Sequence, residues 1–223
     1  MSVPARIAVL ASGGGSNLQA LIDRFHTDPD APARVSLVVA SRGGIGAIGR
    51  AERAGIDAVV IDGRALPPDA VRDAFLDGLE AHRIDLVVLA GWLQLVPAEV
   101  VARYQGRMIN IHPALLPAFG GHGMYGMRVH RAVIQSGARV SGATVHLVNE
   151  RYDEGAILAQ WPVPVLPGDT AEALAARVLA VEHRLLPLAV ETMVLGARLP
   201  RSDGGPLAFG PAGELPGDDA LRT

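Results

Sequence analysis

Along most of the chain, short continuous apolar runs alternate with segments whose apolar residues recur every three or four positions. Residues 6–11, RIAVLA, read as a buried strand, and SGGGSN follows as a turn. Leu18, Leu21, Ile22 and Phe25 then recur at helical spacing, so a helix starts near Ser16 or Asn17. The same alternation gives strands at 34–40, 57–61 and 85–91. Between them lie a helix ending at Gly55, one over 68–82 with Val71, Phe75 and Leu79 on one face, and a short one near 97–104. A further strand, RMINIH, ends at Pro113. Strands that are apolar throughout, alternating with helices, predict a single open, mostly parallel sheet covered on both faces: an α/β, Rossmann-like architecture.

After Pro113 the pattern changes. A glycine-rich loop leads into a helix over 127–136, then two strands, 139–148 and 156–165, read as antiparallel, and a helix from about 170 to 194. Residues 198–223 are rich in Gly, Pro and Asp with little periodicity, so the expected division is one catalytic domain over 1–197 and an irregular tail over 198–223.

Composition narrows the chemistry. The 223 residues, 49% of them hydrophobic, suffice for one sizeable core. A net charge of −3 with 19% charged residues offers no basic surface for nucleic acid. No run reaches the roughly 18–20 apolar residues that span a bilayer. The apolar run at the N-terminus is too short for a secretory leader, so the expectation is a cytoplasmic protein. The absence of cysteine removes thiolate nucleophiles, thiolate metal sites and disulfides. All twenty basic residues are arginine, which removes Schiff-base chemistry and the lysine of a phosphate loop. No histidine spacing suggests a metal site.

Ligands bind such sheets beyond the C-terminal ends of the strands, where SGGGSN, AGWLQLV and NIHPALLP fall. A glycine-rich turn opening a helix presents N–H groups to an anion, and here Gly15, Ser16 and Asn17 suit a phosphomonoester as readily as they suit an ordinary tight turn. The dinucleotide fingerprint fails, because Leu18 stands where its third glycine belongs. Asn110 and His112 occupy alternate positions of one strand and so share a face. One is a donor that does not titrate and the other a ring that holds charge near neutrality; together they suit an oxyanion that forms and collapses. Asp153, in a turn ended by Gly155, would raise and orient that imidazole if the turn folds toward it. His122 and His130 flank the glycine-rich loop, and His146 faces either the site or the far side of its strand.

Three separated motifs, LASGGGSNLQALI, NIHPALLPAF and SGATVHLVNERYDEGAIL, together resemble the folate-dependent phosphoribosylglycinamide formyltransferases over about residues 5–195. The resemblance implies formyl transfer from 10-formyltetrahydrofolate to the amine of glycinamide ribonucleotide, with no metal. It implies Asn110, His112 and Asp153 as the catalytic trio, with Asp153 holding His112 in its charged form, and Gly15, Ser16 and Asn17 as the phosphate loop. It implies Glu182 as the ligand of the ribose hydroxyls. Leu93, Gln94, Leu95 and Val96 match a segment whose backbone contacts the pterin, and Glu150, Arg151, Tyr152 and Asp153 the loop closing its other side, with Asn110 also assigned to the folate. The expected partners are these two small molecules, without nucleic acid or membrane, for a monomer or homodimer.

The chain departs from the family at Leu179, where a basic or amide residue is common, and at Gln94, where arginine is common. Pro67 and Pro68 stand where a basic residue often meets the folate tail, leaving Arg64 or Arg72 as substitutes. The loop over 118–127 is longer than in the shortest members. Rival readings are a sugar-nucleotide formyltransferase, a formyltetrahydrofolate hydrolase, a non-catalytic nucleotide-binding module and a dehydrogenase.

Overall fold

A computed structural model describes residues 3–195 of the chain; the tail expected over 198–223 lies outside the described residues. Seven strands form one sheet: β1 (Ala5–Ala11), β2 (Ala33–Ala40), β3 (Ala58–Val60), β4 (Leu86–Leu89), β5 (Met108–His112), β6 (Val140–Leu147) and β7 (Ile157–Pro164). Their spatial order is β3-β2-β1-β4-β5-β6-β7. The first five run parallel, while β5–β6 and β6–β7 pair antiparallel.

Six helices cover the sheet: α1 (Ser16–Phe25), α2 (Gly46–Arg53), α3 (Pro68–Ala81), α4 (Ala98–Arg103), α5 (Met127–Ser136) and α6 (Ala171–Leu195). The period of two along the strands sorts their apolar residues into two cores. Ile7, Val9 and Ala11 pack with Leu18 and Leu21 of α1, Ala47 of α2 and the apolar stripe of α6. Ala8 and Leu10 point the other way, onto Phe75 and Leu79 of α3 and Val100 and Val101 of α4. Among the described residues no helix is long and apolar enough to cross a membrane.

Two irregularities shape the sheet. The β1–β2 register shifts between Ile7 and Ala8, which pair with Val35 and Leu37. The extra residue, Ser36, flips the parity, so Val35 and Val38 both reach the first core. The second shift separates Val145 and His146, which pair with Ala159 and Ile157. It sits beside the turn that carries Asp153. That turn returns to β6 through Leu147 N–H, which donates to the Ala156 carbonyl at 2.8 Å.

Gly155 makes this return possible. A Cβ added there would overlap the Leu147 carbonyl oxygen and meet the Leu147 carbonyl carbon at 2.7 Å. Neither atom is free to move away, since both belong to the backbone of β6. Gly155→Ala is therefore expected to destabilise the protein by about 1–3 kcal/mol, lowering the melting temperature by several degrees in thermal unfolding followed by circular dichroism. Gly43→Ala, with nothing within 4 Å of its added Cβ, is expected to leave it unchanged.

Candidate active site

The site grows from the end of β5. Ile109 and Ile111 face the first core, so Asn110 and His112 must face the opposite side. The antiparallel register then sets Asn110 beside His146 and His112 beside Thr144. Asn110 and His146 Nε2 share a hydrogen bond of 3.0 Å, and His146 donates from Nδ1 to the Leu147 carbonyl at 2.8 Å. Thr144 pins the chain after His112: its hydroxyl donates to the Ala114 carbonyl at 2.6 Å and accepts from Leu116 N–H at 3.0 Å.

The turn after β6 does fold toward His112. Asp153 Oδ2 accepts from Gly121 N–H at 2.9 Å and lies 3.4 Å from His112 Nδ1. Its Oδ1 lies 3.4 Å from the Asn110 amide nitrogen and 3.5 Å from His146 Nε2. One partly buried carboxylate thus meets both polar side chains of β5, a histidine of β6 and the backbone of the glycine-rich loop. His112 Nε2 donates to the Phe119 carbonyl at 2.8 Å, so both ring nitrogens face oxygen acceptors.

The electrostatics differ from the expectation in one respect. Burial pushes the His112 imidazole down and outweighs the Asp153 carboxylate and the Phe119 carbonyl, which push it up. Asp153 does raise the ring as the sequence predicts, but His112 is 3% exposed, and loss of solvent around the charged ring is the larger effect. Asp153 itself is held below its ordinary value: burial raises it, but the rings of His146 and His112 and the Gly121 N–H together prevail.

A cleft of about 600 Å³ opens in front of this cluster. At one end, Gly13 to Asn17 form the turn into α1, with Gly15 at a left-handed φ of 73°. The facing wall is α6, presenting Ala175, Leu179 and Glu182. Glu182 accepts from the Asn17 side-chain amide at 2.6 Å, and burial lifts its carboxyl from 4.5 to about 7 despite that bond. Leu93, whose N–H donates to the Ser12 hydroxyl at 3.1 Å, and Tyr152 also line it. A larger hollow of about 800 Å³ runs along the outer sides of α1 and α6, lined partly by the Arg24–Glu191 ion pair, and holds none of the catalytic candidates.

Gly15, Ser16, Asn17, Leu93, Asn110, His112, Tyr152, Asp153 and Glu182 therefore share one cleft. Five predicted residues do not line it. Val96 is buried in the second core, Gln94 rests its side-chain oxygen against Gly63, and Leu95 is 53% exposed. Glu150 is exposed, and exposed Arg151 pairs with Glu154 at 3.1 Å. Arg72, suggested for the folate tail, is engaged by Asp69 and Asp73, each at 2.9 Å. His146 and His130 belong to the site more firmly than the sequence indicated. The signal for His146 was its register opposite Asn110, which needs the strand pairing. Among the described residues no cluster of three or more His, Asp or Glu side chains is arranged to hold a metal ion.

The family model described as formyl transferase matches residues 5–190. The chloroplastic phosphoribosylglycinamide formyltransferase of Vigna unguiculata is 43% identical over 208 residues, 91% of this chain and 65% of that protein. That of Arabidopsis thaliana is 44% identical, over 91% of this chain and 70% of its own length. The chain thus spans about two thirds of these plant relatives. The crystal structure of phosphoribosylglycinamide formyltransferase from Brucella melitensis superposes with a TM-score of 0.79 at 42% identity, covering 87% of this chain and 97% of that one. The chain belongs to the formyl transferase family, on the branch of the phosphoribosylglycinamide formyltransferases.

Proposed function

We propose that this protein transfers the formyl group of 10-formyltetrahydrofolate to the amine of glycinamide ribonucleotide, giving formylglycinamide ribonucleotide and tetrahydrofolate. The observation that carries this reading is the convergence of Asn110, His112 and Asp153 in the same cleft as the Gly13–Asn17 turn. An anion held at that turn and a carbonyl placed before β5 belong to one bound pair of substrates.

The amine attacks the formyl carbon, and the carbonyl oxygen becomes negative between the Asn110 amide and His112. The oxyanion takes the place of the Phe119 carbonyl at His112 Nε2, exchanging a neutral acceptor for a charged one. Negative charge at that oxygen offsets the burial that holds the imidazole down, while Asp153 already faces Nδ1. The tetrahedral intermediate collapses as the C–N bond to the folate breaks. The attacking amine loses a proton and the leaving folate nitrogen gains one, relayed by water. No covalent enzyme intermediate is needed.

Gly15, Ser16 and Asn17 hold the phosphate, and Glu182 accepts from the ribose hydroxyls. Leu93, Tyr152 and the neighbouring backbone meet the pterin. The fuller pterin set, with Gln94, Leu95, Val96, Glu150 and Arg151, requires backbone contacts or movement of the two loops. A cytoplasmic enzyme of two small-molecule substrates, monomeric or homodimeric, completes the reading.

Three measurements test it. Conversion of 10-formyltetrahydrofolate to tetrahydrofolate should require glycinamide ribonucleotide; equal conversion without it would mean a hydrolase. His112→Ala should lower kcat by on the order of 10²–10³ with the far-ultraviolet spectrum unchanged, and near-normal turnover would refute its role.

The third concerns Glu182. Its folded pKa, about 7, lies above the unfolded value of roughly 4.3, so the folded state holds the extra proton in between. Stability is therefore highest below the unfolded value and falls as pH rises toward 7. Glu182→Gln removes that loss, on the order of 3 kcal/mol at pH 8. The variant should melt higher than the parent at pH 8 and alike near pH 4, while binding the ribonucleotide more weakly. Equal melting at pH 8 would contradict a buried, proton-holding Glu182.

A further inference from the structure

The reading above assigns no work to α2, yet this helix is built against the glycine-rich turn. Ala47 N–H, in its first turn, donates to the Gly13 carbonyl at 3.2 Å. Arg50 Nε donates to the next carbonyl, Gly14, at 2.8 Å. The same guanidinium donates through Nη1 to Gln19 Oε1 of α1 at 2.9 Å, so it is held at two points. The approach is close enough to exclude side chains. A Cβ on Gly46 would lie 2.9 Å from the Gly14 carbonyl oxygen, and one on Gly15 would lie 2.9 Å from Ala47 Cα and 3.3 Å from Arg50 Cδ.

These contacts decide where the turn's N–H groups point. In a planar trans peptide the carbonyl and the following N–H are directed oppositely. Drawing the Gly13 and Gly14 carbonyls onto α2 turns the N–H groups of Gly14 and Gly15 away from it. The residues of this turn line the cleft. The Gly15 carbonyl is taken by Gln19 N–H at 2.9 Å as α1 begins. Arg50 also brings a fixed positive charge to the back of the turn. Its field reaches α6: burial pushes the His183 imidazole down, and the Arg50 charge adds to that push.

We propose that Arg50 is a positioning residue for the phosphate end of the ribonucleotide, acting through the Gly14 carbonyl it holds and the charge it places behind the turn. It touches the turn from outside the cleft and takes no part in formyl transfer. The inference rests on the functional reading above only for the identity of the ligand; the chemistry it needs is a phosphomonoester dianion. In a chain without lysine, and with apolar Leu179 on the α6 wall, the guanidinium behind the turn adds a fixed positive charge to the one that Arg128 brings to the cleft lining.

The test separates the phosphate from the rest of the substrate. Steady-state kinetics are measured for the wild type, Arg50→Met, Arg50→Lys and the control Arg53→Met, an exposed arginine of the same helix. The substrates are glycinamide ribonucleotide and its dephosphorylated riboside. Arg50→Met should raise KM for the ribonucleotide about tenfold or more, leaving kcat, KM for the folate and kcat/KM for the riboside within twofold. Arg50→Lys should recover part of the loss by restoring charge without the two-point grip, and Arg53→Met should change nothing. An equal fall in kcat/KM on both substrates, or an unchanged KM, would overturn the proposal.

Calorimetric titration with ribose 5-phosphate gives a readout that needs no transfer. The wild type should bind it about tenfold or more tightly than Arg50→Met. Such a difference in a protein that transfers no formyl group would retire the functional reading and keep this one. Equal heats in both proteins, including none in either, would retire this one.

Discussion

The arrangement around β5 depends on one partly buried carboxylate. Asp153 is drawn from water into a site that stabilises its charge only because donors reach it from several directions. Gly121 N–H donates from the glycine-rich loop, the Asn110 amide approaches from β5, and the His112 and His146 rings lie 3.4 and 3.5 Å away. Each of these groups is fixed by something else. His146 is held through Nδ1 by the Leu147 carbonyl, and Thr144 braces the chain just past His112. Removing the carboxylate would leave two strands and one loop with unmatched polar groups at the same point. The loops beside the cleft and the candidate catalytic residues therefore form one cooperative unit.

That unit exists because the sheet changes direction at β5. The strand pairs parallel with β4 on one side and antiparallel with β6 on the other. The parallel half ends its strands at the glycine-rich turn and at Trp92 and Leu93, as open α/β sheets do. In the antiparallel half β6 runs back along β5 from His112 to Ile109, which sets His146 beside Asn110, and the turn after β6 folds back to bring Asp153 against His112, Asn110 and His146.

Two carboxyls in the cleft are pushed in opposite directions. Glu182 is met by the Asn17 amide and is almost wholly out of water, so desolvation wins and lifts its carboxyl to about 7. Asp153 is also desolvated, but several donors outweigh the burial and it remains charged. The contrast suits a division of labour in which one group orients a histidine while the other awaits hydroxyl donors. His112 stands between these extremes, lowered by burial yet faced on both nitrogens by oxygen acceptors.

Much of this was legible in the sequence. Strand and helix identities followed from hydrophobic period, because a parallel sheet covered on both faces needs apolar runs and its helices need an apolar stripe. The pairing of Asn110 with His112 followed from the two-residue repeat of a strand, and the turn at Gly13–Asn17 from glycines preceding a helical pattern. What the chain order could not decide was convergence across distance. The register that sets His146 beside Asn110, the approach of Asp153 and the grip of Arg50 on Gly14 each join residues far apart in sequence. The sign of the His112 shift was equally hidden, since the carboxylate is visible as a residue type but the burial that outweighs it is a property of the packed structure. Local period determined the elements; only tertiary packing decided which polar groups were left to face one another and how much water stayed with them.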